Sequence, residues 1–334
     1  MVTRIGINGF GRVGRSFLRR SAERPDLEVV AINDITDART LAHLLEFDST
    51  YGRFGRPVTY TDHTIVVDGR PIPVLSERDP AALDWGEAGA DVVIEASGKF
   101  RARDKAALHL KAGAKKVLIS APGKDADATI VMGVNEHSYD AQRHDVVSNA
   151  SCTTNCVAPM AKVLHDAFRI ERGFMTTVHA YTGDQMLLDG PHKDLRRARS
   201  AAASIVPTGT GAARATGLVI PALAGRLDGV AVRVPVEDGS LTDLTAELRT
   251  DVTRDEVNEA FRAAAASGSL AGRLRYSTDP IVSRDIIGDP SSCVFDSELT
   301  QAEGPLVKVF GWYDNEWGYT CRLADLAALV GDQL

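Results

Sequence analysis

The run from Val2 to Ala22 constrains the fold more than any other part of this 334-residue chain. Val2 to Asn8 is short and apolar, Gly9-Phe10-Gly11-Arg12-Val13-Gly14 follows, and Arg15 to Ala22 has helical spacing. A G-x-G-x-x-G run between a buried strand and a helix demands a βα unit of a parallel sheet. The first glycine allows the tight turn, the second lets a pyrophosphate approach the backbone, and the third lets helix and strand pack closely. Leu27 to Ile32 is the next apolar strand and ends in Asn33-Asp34, so a carboxylate falls twenty residues past Gly14. An acid at that spacing bonds the ribose hydroxyls of an adenosine and repels a 2′-phosphate, which favours NAD over NADP. A glycine-rich turn without a ligand is the competing reading, and it leaves that acid unexplained.

Strand signals continue at Asp91 to Glu95, Lys116 to Ile119, Thr129 to Gly133 and Asp145 to Ser148, with a helical Ala106 to Ala112 among them. Ligands of doubly wound sheets lie at the carboxyl ends of strands, and Ser97 and Ser120 fall at two such ends. Between Phe54 and Leu75 the pattern is of hairpins, with an Asp68-Gly69 turn. Beyond residue 151 the strands Gly173 to His179, Val230 to Val234, Thr242 to Arg249 and Leu306 to Tyr313 are grouped, with a helix over Asp255 to Ala265. Grouping of this kind predicts a largely antiparallel sheet. The expected fold class is α/β: a doubly wound (Rossmann) nucleotide-binding domain plus an α+β catalytic domain.

The chemistry is expected around Ser148-Asn149-Ala150-Ser151-Cys152-Thr153-Thr154-Asn155-Cys156. This polar stretch opens onto an apolar run, Val157 to Phe168, with helical spacing, and Ser or Thr ahead of such a run is an N-cap signal. Cys152 is therefore expected in the first helical turn, where free N–H groups and the helix dipole favour a thiolate. A buried structural cysteine is the alternative, and the surrounding hydroxyls count against it. Cys156, one turn deeper, reads as packing. His179 ends a strand and is either a satisfied core histidine or the base for Cys152. Arg233, at another strand end, is either an anion ligand or a surface ion pair. Gly183 to Ser200 is a long polar stretch without regular structure, and such loops are more often functional. Pro207-Thr208-Gly209-Thr210-Gly211 is a turn ahead of a helix-compatible segment and a candidate anion cradle.

Composition narrows the class. Hydrophobic residues make up 44% and charged residues 25%, as in ordinary globular proteins. A net charge of −7 offers no basic field to recruit nucleic acid or an anionic membrane. The four cysteines make no disulfide framework in a chain this long, and none pairs with histidine at zinc spacing. No signal peptide or bilayer-length apolar run is evident, so a cytoplasmic protein without a metal is expected.

Several stretches together resemble phosphorylating glyceraldehyde-3-phosphate dehydrogenases. They are Ile5 to Arg15, Ser148 to Asn155, Thr177-Val178-His179-Ala180-Tyr181-Thr182, Pro191 to Arg197, and Trp312-Tyr313-Asp314-Asn315-Glu316-Trp317-Gly318-Tyr319. The resemblance runs through the whole chain in the same order. It implies Cys152 as nucleophile and His179 as its base. It implies Arg12 and Val13 under the pyrophosphate of NAD, Asp34 on the ribose, Arg78 and Ser120 as further cofactor contacts, and Asn315 orienting the nicotinamide amide. Thr182 and Arg233 are implied for the substrate's phosphate, Ser151, Thr153, Thr210 and Gly211 for the attacking phosphate, and Arg197 beside both. It also implies a homotetramer and three segments: a nucleotide domain over 1–151, a catalytic domain over 152–315, and a C-terminal helix over 316–334 that returns to the first.

The expected reaction is oxidation of glyceraldehyde 3-phosphate to 1,3-bisphosphoglycerate through a cysteine thioester. Gly183, Gly190 and Glu237-Asp238 depart from the family's usual residues, which suggests a secondary isozyme tolerant of electrophiles aimed at the cysteine. Three rival readings are a dehydrogenase for a related aldehyde such as erythrose 4-phosphate, a Cys–His acyltransferase or hydrolase, and an NAD-sensing binding protein. Asp34 and Asn315 argue against the hydrolase; Cys152 and His179 argue against the sensor.

Overall fold

The computed structural model describes residues 2–334. The chain forms two compact units. One takes the residues up to Ile130, with His137–Ala150 and Thr320–Leu334; the other takes Val131–Glu136 and Ser151–Tyr319.

The first unit is built on a nine-stranded sheet. Its order runs Ala128–Thr129, Val146–Ser148, Lys116–Ile119, Val92–Glu95, Thr3–Asn8, Leu27–Asn33, Arg70–Leu75, Thr64–Val67, Val58–Thr61. All neighbours are parallel except the last two pairs, which form an antiparallel edge meander. The chain enters at the centre and winds outward in both directions, the doubly wound arrangement. Strands covered on both faces should be apolar throughout, and Val92–Glu95 and Lys116–Ile119 are buried at every position. Gly6 leaves room for the buried Trp85, whose ring lies 2.8 Å from where a Cβ would be. The Asp68-Gly69 turn closes the predicted hairpin, both residues having positive φ (50° and 78°). The strand expected over Thr129 to Gly133 is confined to Ala128–Thr129, and the chain turns after it. The helix expected over Ala106 to Ala112 is two short pieces, Arg103–Ala106 and Leu108–Lys111.

The second unit carries a seven-stranded sheet in the order Val206–Gly209, Leu227–Val234, Ile170–Ala180, Ser240–Leu248, Leu306–Tyr313, Cys293–Glu303, Leu274–Ser277. Two of its pairings are parallel and the rest antiparallel. Ser240–Leu248 alternates strictly between buried and half-buried positions, so one sheet face is covered. The helices Cys152–Phe168, Ala212–Val219 and Arg254–Ala266 pack on that face. Thr253 caps the last of these in a capping box with Glu256, and its Phe261 stacks on Phe295 of the sheet at 3.8 Å. No helix of the described residues is long and apolar enough to cross a membrane.

The helix that begins at Cys152 is seated by a glycine. At Gly311 a Cβ would lie 2.5 Å from Cys293 Sγ and 2.6 Å from Met160 Sδ, so only hydrogen lets helix and strand close together. Overpacking at such a point costs about 1–3 kcal/mol. Gly311→Val is expected to lower the urea unfolding midpoint accordingly. An unchanged midpoint would mean that this contact is not close-packed.

Candidate functional site

In the second unit, Ser151 takes an extended N-cap conformation (φ −103°, ψ 163°), and its hydroxyl accepts the Thr154 N–H at 3.0 Å. Cys152 is thus the first residue of the 17-residue helix Cys152–Phe168, as the sequence predicts. Its sulfur lies 3.4 Å from His179 Nε2. His179 is the penultimate residue of the strand Ile170–Ala180 and is 3% exposed. The helix start and the strand end meet through Tyr313, whose hydroxyl pairs with both Thr153 Oγ1 and Thr177 Oγ1 at 2.8 Å. The Tyr313 ring stands edge-on to the imidazole.

The other side of the imidazole is occupied by a cation. Arg233 Nη1 lies 2.9 Å from His179 Nδ1, donates to the Ala180 carbonyl at 2.9 Å, and reaches Thr182 Oγ1 at 3.5 Å. Ala180 O is also 2.7 Å from Nδ1. Nδ1 thus faces both a carbonyl, which can only accept, and a guanidinium, which can only donate; when the ring proton sits on Nδ1 and bonds the nearer carbonyl, Nε2 keeps its lone pair toward the sulfur. Arg233 Nε is buried without a protein partner, the mark of a guanidinium with bonding capacity in reserve.

Burial and charge act against each other at this pair. Burial pushes the Cys152 thiol up to about 11, against the opposing pull of Arg233 and of Thr153 at the first turn. Burial, helped by the nearby Arg233 charge, holds His179 down to about 3. Desolvation thus opposes the charged form of each group taken alone. Proton transfer from Sγ to Nε2 creates thiolate and imidazolium together, and each then offsets the other's burial.

The remaining anion candidates lie close by in the chain. Arg197 donates to Asp184 at 2.6 Å, to Thr208 Oγ1 at 3.0 Å and to the Gly209 carbonyl at 3.3 Å. Its charge lowers the basicity of both His179 and Arg233, so it faces the same centre. Thr210 and Gly211 form the turn before the helix Ala212–Val219, whose N-cap Gly211 provides no side-chain cap. Thr153's hydroxyl is engaged by Tyr313, and Ser151's by its cap. Asn315 Oδ1 accepts from Ser240 Oγ at 2.6 Å, and that oxygen accepts the Ala180 N–H at 3.1 Å. The Asn315 amide is thereby oriented from the same strand end that carries His179. Of the departures, Gly183 borders open space, Glu237 pairs with Arg284, and Asp238 is buried.

In the first unit the glycine turn has the geometry of a phosphate cradle. Gly9 has φ +95°, and a Cβ there would fall 2.5 Å from the Ser97 nitrogen. At Gly14 a Cβ would lie 2.3 Å from Gly9 O, while the Cβ direction of Gly11 is open. Gly11 caps the helix Arg12–Ser21 with no side-chain bond, so no cap side chain stands over the start of the helix at Arg12 and Val13, the kind of place where an anion binds. Asp34 follows the strand Leu27–Asn33 and is held over the turn by the Phe10 N–H at 2.7 Å. The Arg12 side chain is taken by Asp48 at 2.9 Å, so that position serves through its backbone. Arg78 is exposed in the loop after Arg70–Leu75. Ser120 sits at a strand end, its N–H and hydroxyl both donating to Glu95 O at 3.0 Å. An open glycine cradle, an uncapped helix start and a poised carboxylate fit NAD.

Sequence reasoning missed Tyr313 and Ser240. Tyr313 lay inside a quoted motif but had no assigned partner. Buried polar links between distant strands leave no periodic signal.

Fold and site together define a class, the NAD-dependent oxidoreductases with a doubly wound nucleotide unit and a separate unit bearing a Cys–His pair. The comparisons narrow it. A family model for the glyceraldehyde 3-phosphate dehydrogenase NAD binding domain matches residues 3–103, and one for the C-terminal domain of the same family matches 151–315. The glyceraldehyde-3-phosphate dehydrogenase of Streptomyces coelicolor is 60% identical over 336 residues, covering 100% of both chains. That of Geobacillus stearothermophilus is 56% identical over 334 residues, covering 100% of this chain and 99% of its own. Glyceraldehyde-3-phosphate dehydrogenase 1 of Bacillus subtilis is 56% identical over 331 residues, covering 99% and 98%. The chain belongs to the glyceraldehyde 3-phosphate dehydrogenase family, and its cofactor is NAD.

His179→Asn is expected to slow alkylation of Cys152 by iodoacetamide near neutral pH by about tenfold or more, because the thiol loses its proton acceptor. Equal rates would show that the ring does not receive the cysteine proton.

Proposed function

We propose that the protein oxidises D-glyceraldehyde 3-phosphate to 1,3-bisphosphoglycerate, with NAD and inorganic phosphate, through a thioester on Cys152. The observation that carries this reading is the 3.4 Å contact of Cys152 Sγ with His179 Nε2, beside an arginine with an unused buried N–H.

An aldehyde has no leaving group, so acyl transfer requires its oxidation first. Cys152 Sγ attacks the carbonyl carbon as its proton passes to His179, which returns that proton to the carbonyl oxygen and is left neutral. The product is a thiohemiacetal. His179 then takes the hydroxyl proton as hydride departs from the same carbon, and a thioester remains on the sulfur. NAD, when bound, supplies the acceptor for that hydride. General base catalysis of this kind contributes about 10²–10⁴-fold. The N–H groups of the first helical turn and the imidazolium stabilise the oxyanion. Arg233 and Thr182 hold the substrate's own phosphate. Ser151, Thr153, Thr210 and Gly211 hold the inorganic phosphate that attacks the thioester, with Arg197 adding charge near both anions. Attack forms the acyl phosphate and releases the sulfur. Arg12, Val13, Asp34, Arg78, Ser120 and Asn315 bind and orient the cofactor.

The reading includes a homotetramer. Phe174 is 74% exposed on the sheet of the second unit, with Val230 and Leu306 also exposed there. Leu187, Leu188 and Leu195 are exposed on the polar stretch. Apolar surface of this kind supports self-association.

Formation of NADH from glyceraldehyde 3-phosphate is expected to continue only when phosphate or arsenate is present, and to be abolished in Cys152→Ala, which still binds NAD. Turnover without either anion, or in the variant, would refute the thioester. Asp34→Ala is expected to raise kcat/KM for NADP relative to NAD by about tenfold or more, since one unfavourable charge contact is removed. An unchanged ratio would remove Asp34 from the ribose site.

A further inference from the structure

Ser240 is fully buried and takes no part in the reaction above, yet it joins the strand end that carries His179 to Asn315. It opens the strand Ser240–Leu248, whose next residue, Leu241, pairs with Val178 on one flank. On the other flank Ser240 pairs with Tyr313. Its Oγ accepts the Ala180 N–H at 3.1 Å and donates to Asn315 Oδ1 at 2.6 Å.

The direction of the second bond follows from the first. A backbone N–H can only donate, so Ala180 takes a lone pair of the hydroxyl oxygen. The hydroxyl proton then needs an acceptor, and among the described residues Asn315 Oδ1 is the one it bonds. With the amide turned over, an NH2 group would meet the hydroxyl and leave its proton buried without a bond. The backbone beside the amide is also held. Asp314 accepts the N–H groups of Gly288 at 2.7 Å, Glu316 at 2.9 Å and Trp317 at 2.6 Å. The side-chain torsions of Asn315 are what remains free, and Ser240 holds them.

The nitrogen of the amide is the end left over. Asn315 is 6% exposed; its Nδ2 bonds none of the described residues and is open to solvent. The side chain therefore offers a donor. In the proposed reaction the hydride acceptor comes within about 3–3.5 Å of the carbon carried on Cys152 Sγ. Asn315 is tied to that centre from two sides. Through Ser240 it reaches Ala180, the neighbour of His179. Tyr313, two residues before it, bonds Thr153, the neighbour of Cys152. An N–H in such a place suits the carbonyl oxygen of a nicotinamide carboxamide and not its NH2 group.

We propose that Ser240 is a positioning residue: by holding the Asn315 amide with its N–H outward, it makes the site read the carbonyl oxygen of the cofactor's pyridine substituent. The proposal rests on the NAD reading above, with Asn315 as the carboxamide contact. A serine that only fills space would affect every cofactor analogue alike. A serine that aims the amide affects those analogues that bring an oxygen to receive it.

The test is calorimetric titration of cofactor-free protein with three dinucleotides. They are NAD, its 3-acetylpyridine analogue, which keeps the carbonyl oxygen but lacks the amide nitrogen, and its 3-aminopyridine analogue, which has no carbonyl. Ser240→Ala is expected to raise Kd for the first two by about threefold to tenfold, the worth of one net hydrogen bond, and to move the third by less than about twofold. Ser240→Cys fills nearly the same volume with a weak hydrogen-bonding group and is expected to follow Ser240→Ala. Asn315→Ala should show the same pattern. Adding Ser240→Ala to it should change Kd for NAD by less than about twofold, because the two residues act through one contact. A parallel rise for all three dinucleotides, or an undiminished effect of Ser240→Ala in the Asn315→Ala background, would overturn the proposal while leaving NAD binding intact. So would an unchanged Kd for NAD in a folded Ser240 variant. If the unaltered chain bound none of the three, the NAD reading itself would fall.

Discussion

The account depends on a sulfur and an imidazole nitrogen being brought to 3.4 Å by two elements with unrelated reasons to end where they do. The helix begins at Cys152 because Ser151 caps it. The strand ends just after His179, where Arg233 and Ala180 surround the other ring nitrogen. Tyr313 bonds a threonine of each element and so fixes one against the other. Its hydroxyl has no catalytic role in the mechanism above, yet the distance between the reacting groups depends on it. Gly311, two residues earlier on the same strand, lets the helix approach closely enough for those bonds to form.

Burial and charge compete at this pair. A helix N-terminus favours a thiolate, whereas withdrawal from water opposes the charged form of both sulfur and ring. Arg233 acts on both in opposite senses, favouring the thiolate and disfavouring the imidazolium. An anion held by Arg233 would offset its charge and so ease the formation of imidazolium beside it. In the proposed mechanism, substrate phosphate and proton transfer would be coupled through one guanidinium, an arrangement in which binding energy assists the chemical step.

Much of this was legible in the sequence because local rules write it there. The glycine turn, the acid after the second strand, the hydroxyl cap before Cys152 and the Asp68-Gly69 hairpin each follow from short-range geometry. The class of the second sheet followed from the grouping of its strands, although Cys293–Glu303 and Leu274–Ser277 were not anticipated and Val206–Gly209, read in part as a turn, is an edge strand. Links across long sequence distances were not legible. Nothing near Ser240 announces Asn315. The thiol's setting was legible only in part for a related reason: the helix terminus is a local feature, whereas desolvation depends on everything that packs around it. The roles of Thr182, Arg197 and Arg233 came from family resemblance, and the geometry supplies their physical setting.

The most direct test of the central claim is intact-protein mass spectrometry after mixing with glyceraldehyde 3-phosphate and NAD in phosphate-free buffer, with proteolysis to locate any adduct. The account predicts a phosphoglyceryl thioester on Cys152, formed with one equivalent of NADH per chain and discharged on addition of phosphate. NADH formation with Cys152 unmodified, or an acyl group on another residue, would contradict it.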